Sequence, residues 1–235
     1  MKLNTNSNTY ILAYASLLVI AVAFVLAYFS QALKPIQDKN VALDKKKQII
    51  AALNIRDVND NQVEEYYNKL VEADEIINEK NEVLSAGKPG GENDGFKLNG
   101  GDFKAGKLAL FVCNVDGQKK YVMPVYGMGL WGGISGYIAI NADKETIYGV
   151  YFNHEGETAG LGAEIKDNQK WQQQFCGKHL FADGSQDAVA LSVCKKVDNP
   201  ATQVDGVSGA TLTCDGVTRM IHEGLGKYLV FLKDK

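Results

Sequence analysis

Ser208, Thr211 and Thr213 place three hydroxyls close together in and just after the segment Asp205-Gly206-Val207-Ser208-Gly209-Ala210-Thr211. Gly209 and Ala210 put almost no side-chain bulk beside them, so backbone can come close to a ligand there. A helix whose N-terminus falls near Asp215 adds unpaired N–H groups and a partial positive charge, which together suit a phosphate. The same hydroxyls also serve well as helix N-caps, and residue type alone does not choose between the two roles. Two more glycine-dense stretches precede this one, Gly127-Met128-Gly129-Leu130-Trp131-Gly132-Gly133 and His154-Glu155-Gly156-Glu157-Thr158-Ala159-Gly160-Leu161-Gly162. Glycine costs conformational entropy, and the usual reasons to keep it are a positive φ or a close approach of backbone to a ligand. Turn geometry explains any one stretch. Three in one domain point to a ligand.

The phosphate of that ligand is not held in an ordinary nucleotide fold. No G-x-x-x-x-G-K-[ST] loop is present, nor a G-x-G-x-x-G that follows a strand and opens a helix. Cys113, Cys176, Cys194 and Cys214 form no C-x-x-C pair and have no histidine at ligand spacing, so they read as buried or unpaired thiols rather than a zinc or redox motif. The net charge is -3 and basic residues are scattered among acidic ones. That excludes the electrostatic footprint of a nucleic-acid partner.

The elements that must position these stretches follow from periodicity. Leu108 to Val115, Lys120 to Val125, Gly136 to Asn141 and Thr146 to Phe152 are short β-branched or aromatic runs separated by Asp-Gly, Gly-rich and Asn-Ala-Asp-Lys turns, which predicts an antiparallel sheet. Trp171 to Phe175 reads as a short helix, Ala188 to Val197 as a further strand, and Val217 to Leu232 as a C-terminal helix. Upstream, Val63, Tyr66, Tyr67, Leu70 and Val71 recur at helical spacing with Glu64, Glu65 and Lys69 opposite. A juxtamembrane helical region is therefore expected over 34–84, followed by a linker or surface loop over 85–101 that contains Lys88-Pro89-Gly90-Gly91. The fold class is α+β.

Tyr10 to Phe29 is nearly all aliphatic or aromatic, and no charge occurs between Lys2 and Lys34. About 20 apolar residues at ~1.5 Å each match a hydrocarbon core of ~30 Å, so 10–31 reads as a transmembrane helix after a tail over 1–9. A cleaved signal peptide is the competing reading, supported by Ser30 and Ala32, although the run exceeds the usual ~7–15 apolar residues. Lys34, Lys39 and Lys45 to Lys47 follow the span and only Lys2 precedes it, which by the positive-inside rule alone puts the C-terminal part in the cytoplasm.

Asp205-Gly206-Val207-Ser208-Gly209-Ala210-Thr211 resembles the D-x-x-[ST]-G-A-T signature of covalently flavinylated proteins. The resemblance implies that Thr211 carries FMN through a phosphoester, delivered from FAD by a separate Mg2+-dependent flavin transferase, with Asp205 assisting that reaction or ending a turn. Together with Gly-x-Gly-Leu-Trp-Gly at 127–132 and Glu157-Thr158-x-Gly160-Leu161-Gly162 after His154, the chain is similar over most of its length to the C-subunit family of the Na+-translocating NADH:quinone oxidoreductase. Family members often have proline where this chain has Ala159, a departure that bears on turn stiffness. The resemblance implies an FMN-binding domain over 102–235. It implies flavin contacts from Ser208, Gly209, Ala210, Leu212 and Thr213, from Leu130, Trp131 and Gly132, and from Glu157, Thr158, Gly160, Leu161 and Gly162. A core tryptophan is the alternative for Trp131 and a surface salt bridge for Glu157. His154 needs no role as a base, because the flavin carries the chemistry. Lys166 and Lys170 either balance phosphate charge or lie free on the surface.

The implied function is an electron-carrying subunit, inactive alone, of a complex with other membrane and peripheral subunits. It sits in the bacterial inner membrane with its flavin domain on the periplasmic side, against the charge rule. The homologous G subunit of the ferredoxin:NAD+ oxidoreductase shares the motif and the span, but Leu130-Trp131-Gly132 and the chain length favour the first family. A membrane-anchored binding module without redox chemistry is the alternative from another class.

Overall fold

The run of apolar residues that opens the chain has no polar face along which to pack on a globular core, and in the computed structural model it begins one long helix, α1 (Asn8–Ala52). The structure describes Thr5, Ser7 to Asp183 and Ser185 to Asp234. Lys2 and most of the tail over 1–9 lie outside the described residues. The chain divides into two compact units, one through Asp44 and one from Lys45. In the first unit α1 exposes Leu12, Leu17, Phe24 and Tyr28, and it is long and apolar enough to cross a membrane. Pro35 removes one backbone donor, yet the helix runs through it rather than restarting after it.

In the second unit the last turns of α1 bury Ile49, Ile50 and Ala52. Lys46 is buried there beside two carboxylates, Glu64 at 3.3 Å and Glu92 at 2.6 Å, as a buried charge requires. Helix α2 (Val63–Leu70) buries Val63, Tyr67 and Leu70, the apolar stripe seen in the sequence. The helical reading of 34–84 fails beyond it, because β1 (Val71–Ile77) and β2 (Val83–Ser85) follow at once. A register shift between Val71 and Ala73 breaks strand alternation, and burial recurs at Val71, Asp74 and Ile77, a spacing that imitates a helix.

Of the two readings of 85–101, linker or surface loop, the structure gives a loop, folded onto the sheet. Asp74 is fully buried on β1, and its carboxylate accepts from the backbone N–H groups of Lys88 at 3.2 Å, Asp94 at 3.0 Å and Phe96 at 3.4 Å. Tyr67 adds a hydrogen bond from its hydroxyl to the Gly91 carbonyl at 2.9 Å. A buried carboxylate satisfied by backbone donors folds the polar loop onto the sheet. The loop ends in α3 (Gly100–Lys104), whose N-terminus Asn99 and Asp102 close as a capping box.

Strands β3 (Leu108–Val115), β4 (Gln118–Met128), β5 (Gly133–Asn141) and β6 (Ile147–His154) complete a six-stranded antiparallel sheet in the order β2-β1-β3-β4-β5-β6. Asp116 and Gly117, with φ of 51° and 80°, make the two-residue turn between β3 and β4 that the Asp-Gly pair predicts. Short helices α4 (Glu164–Asp167) and α5 (Gln169–Gln173) follow, the second capped by the Asn168 side chain. The strand expected over 188–197 shrinks to β7 (Ser192–Cys194), which pairs in parallel with β8 (Gln203–Asp205).

The C-terminal helix expected over 217–232 is instead α6 (Thr211–Gly226) and α7 (Leu229–Lys233). Threonine and glycine near its start disguise the first turns of α6. Two of its glycines are required by packing: a Cβ at Gly216 would lie 2.5 Å from the Met128 carbonyl oxygen, and one at Gly224 would lie 2.6 Å from Val125 Cγ1. Helix α6 therefore rests directly on β4. Its Val217, Met220, Ile221 and Leu225 join Leu108, Ile138 and Phe152 in one core.

Candidate functional site

The three glycine stretches occupy three loops. The first is the turn between β4 and β5, closed by Gly129 N–H to the Gly132 carbonyl at 2.9 Å. The second leaves β6 and enters α4, and the third joins β8 to α6. Their tips meet around a cleft of about 380 Å3 lined by Leu130, Trp131, Glu157, Thr158, Leu161, Gly162 and the run Gly209 to Thr213. A second cleft of about 700 Å3, lined among others by Tyr126, His154, Arg219 and Glu223, is larger. The smaller one carries the clustered hydroxyls.

Thr211 is the first residue of α6 and is exposed. The N-cap Ala210 offers no side-chain acceptor, so none caps the amides of the first turn. That arrangement suits an anion, with a hydroxyl at its mouth. Ser208 is exposed in the preceding loop but is not among the cleft-lining residues, and Thr213 is buried with its hydroxyl donating to Glu157 Oε2 at 2.6 Å. Gly209 adopts φ +74°, a left-handed conformation that turns the loop into the helix. The helix start expected near Asp215 lies a full turn earlier, so Thr211 and not Asp215 receives the helix-terminal amides.

Apolar groups form the rest of the rim. Leu130 is 48% exposed, Trp131 69%, Leu161 42% and Leu212 58%. Trp131 is thus no core tryptophan. So much apolar surface around one cleft marks a binding site. An uncapped helix start with an exposed hydroxyl and an amphipathic, aromatic rim fits the phosphate and the flat ring of a flavin mononucleotide.

Glu157 is 7% exposed, and both its oxygens are engaged within the protein: Oε2 by Thr213 and Oε1 by the Trp131 N–H at 2.9 Å. Burial pushes its carboxyl up, but hydrogen bonds from Thr213, Trp131 and Leu130 outweigh burial and hold it below the ordinary value of 4.5. Among the described residues it makes no surface salt bridge. His154 lies outside this cleft, and its Nδ1 accepts from the Glu157 N–H at 3.2 Å. Asp205, Gly132, Gly160, Lys166 and Lys170 are not among the cleft-lining residues. Asp205 acts through its backbone, where its carbonyl accepts from Trp171 Nε1 at 2.7 Å.

Trp171 escaped the sequence reading as a site residue, being noted only as part of a helix. Its ring packs against Phe152 and Phe175 at 5.9 and 5.2 Å, and its indole N–H fixes the strand that leads into the motif. Gly129 escaped as well. A Cβ there would run into Glu157 Oε1, as one at Gly162 would run into Oε2. Gly129 and Gly162 thus make room for a carboxylate of the same chain.

A family model for FMN-binding domains matches residues 129–226, the interval that contains all the cleft-lining residues. The fold and the cleft therefore define a flavin-binding domain of the FMN class. The chain is 32% identical to the C subunit of the Na+-translocating NADH-quinone reductase of Haemophilus ducreyi, over 99% of this chain and 97% of that one. It is similar to the solved structure of the corresponding protein from Parabacteroides distasonis, with a TM-score of 0.78, 36% identity, and coverage of 86% of this chain and 98% of that one. Likeness to the crystal structure of Shewanella oneidensis NqrC gives a TM-score of 0.65 at 27% identity, over 83% of this chain and 100% of that one. This chain belongs to the NqrC family, the C subunits of the Na+-translocating NADH-quinone reductases.

Proposed function

We propose that the chain is the FMN-carrying electron-transfer subunit of a Na+-translocating NADH-quinone reductase, with the flavin joined through its phosphate to Thr211 Oγ1. The observation that carries this reading is the exposed hydroxyl of Thr211 at the uncapped start of α6, inside a cleft that falls within the FMN-binding match. In the attachment step the Thr211 oxygen forms a bond to phosphorus, the pyrophosphate of FAD breaks, and AMP and the hydroxyl proton leave. A separate Mg2+-dependent flavin transferase conducts it. The amides of the first turn of α6 would then face the phosphate, and Trp131, Leu130, Leu161 and Leu212 would shield the ring from water, with Gly132, Thr158, Gly160, Gly162, Ser208, Gly209 and Ala210 shaping the loops around it. FMN, when bound, supplies the capacity to accept and pass on electrons. A tether prevents its loss, so occupancy does not depend on affinity.

The chain has no dinucleotide fingerprint, so NADH oxidation and quinone reduction belong to partner subunits. Helix α1 anchors the chain in the inner membrane through residues 10–31, and the FMN domain faces the periplasm. The lysines that argued for the opposite side are largely engaged in the fold. Lys45 donates to the Phe96 and Leu98 carbonyls, Lys46 pairs with Glu64 and Glu92, and Lys47 pairs with Asp60 at 2.7 Å. Protease digestion of intact spheroplasts should cut the domain, and protection would reverse the orientation.

The attachment is tested by expressing the chain with a flavin transferase and running it on a denaturing gel. Fluorescence that co-migrates with the chain and vanishes in Thr211→Ala is the expected result. A dark wild-type band would leave a membrane-anchored binding module.

A further inference from the structure

Glu157 sits where all three loops of the cleft meet. Its carboxylate accepts from Thr213 Oγ1 on α6 at 2.6 Å and from the Trp131 N–H of the β4–β5 turn at 2.9 Å, while its own N–H donates to His154 Nδ1 at the end of β6 at 3.2 Å. The Leu130 amide also supports the carboxylate. It is nearly excluded from solvent. Two of the glycine loops face it with a missing side chain: a Cβ at Gly129 would run into Oε1, and one at Gly162 would fall on Oε2 and, at 2.6 Å, on Thr213 Oγ1.

From this geometry we propose that Glu157 is the positioning residue of the flavin site, a clamp that ties the Leu130-Trp131 turn to the first turn of α6 and so presents Thr211 for modification, without touching the flavin. This rests on Thr211 as the attachment point. A carboxylate suits the task because it only accepts and can take several N–H and O–H donors at once. Glutamine turns an NH2 group toward one of those donors and keeps only part of the set. Aspartate is a methylene shorter and does not span from the turn to the helix. The donors to the Glu157 carboxylate come from its own chain, and removing it leaves a hydroxyl on α6 and an N–H on the β4–β5 turn without their acceptor together.

The test uses the full chain with and without flavin transferase, in wild type and in Glu157→Ala, Glu157→Gln, Glu157→Asp, Thr213→Val and the double Glu157→Ala/Thr213→Val. The first readout needs no flavin. Acrylamide quenching separates exposed Trp131 from buried Trp171, the other tryptophan, and in Glu157→Ala the quenching constant of the exposed component should change about twofold. The second is the initial rate of flavin incorporation, expected to fall tenfold or more in Glu157→Ala and Glu157→Asp, with partial rescue in Glu157→Gln. Because Glu157 acts through Thr213, the double variant should be no slower than the slower single one. A wild-type rate or unchanged quenching in Glu157→Ala overturns the clamp, as does a double whose losses multiply. If Glu157→Ala fails to fold, Glu157→Gln and Thr213→Val carry the same comparisons. If the wild-type chain takes up no flavin at all, the attachment reading fails, and the quenching measurement still decides whether Glu157 holds the turn.

Discussion

Three hydroxyls in one short segment differ only in what the fold does with them. Thr213 is buried against Glu157, Ser208 sits in the loop before the helix, and Thr211 opens α6 at the cleft. Exchanging Thr211 for alanine should abolish covalent flavin, as read by mass spectrometry of the segment from Ala201 to Arg219. Stability should shift by no more than about 0.5 kcal/mol, since only an exposed side chain at a helix start changes. Thr211→Ser should retain the flavin, because the hydroxyl keeps its place on the first turn. The proposed attachment residue stands out in the sequence through its motif. The internal hydrogen bonds of Glu157 do not, because its motif implies a flavin contact and its residue type a surface salt bridge, and only the fold buries it against Thr213 and the Trp131 N–H.

At the scale of elements, the contact of α6 with β4 decides where Thr211 lies. Gly216→Ala places a methyl against the Met128 carbonyl and should cost about 2 kcal/mol by overpacking, measurable as a lower midpoint in thermal unfolding. Because the Met128 end of β4 runs into the Leu130-Trp131 turn, the same variant should also slow flavin incorporation. The loop over 85–101 gives a second case. Lys45 reaches the Phe96 and Leu98 carbonyls, and burial lowers its pKa from 10.5 to about 8, against an opposing pull from Asp102. The sign follows from linkage. Between about pH 8 and 10.5 the unfolded chain binds the extra proton and the folded one does not, so this group makes stability rise with pH across that window and gives a constant penalty below it. Titration of the Lys45 side chain by NMR should show the depressed midpoint, and Lys45→Met should flatten stability over the same interval. Periodicity revealed α2 and the four long strands. It missed β1, whose bulge leaves burial at every third residue, and it missed the start of α6, whose threonines and glycine disfavour helix until packing overrides them.

For the whole molecule, the sequence determines what depends on composition and short-range pattern. Twenty or so uncharged apolar residues cannot be solvated at reasonable cost, so the chain should remain with the membrane fraction after alkaline carbonate washing, and appearance in the supernatant would contradict an integral anchor. The α+β class, the antiparallel strands and the flavin motif are equally local, since each follows from side-chain alternation, turn residues or a short run of amino acids. Tertiary structure alone decided the rest. Glu157 and Thr213 are 56 positions apart, and Trp171 and Asp205 are 34. The order of residues along the chain carries no mark of such pairs, because the free energy of a hydrogen bond between them exists only once the sheet and α6 have excluded water from the space they share.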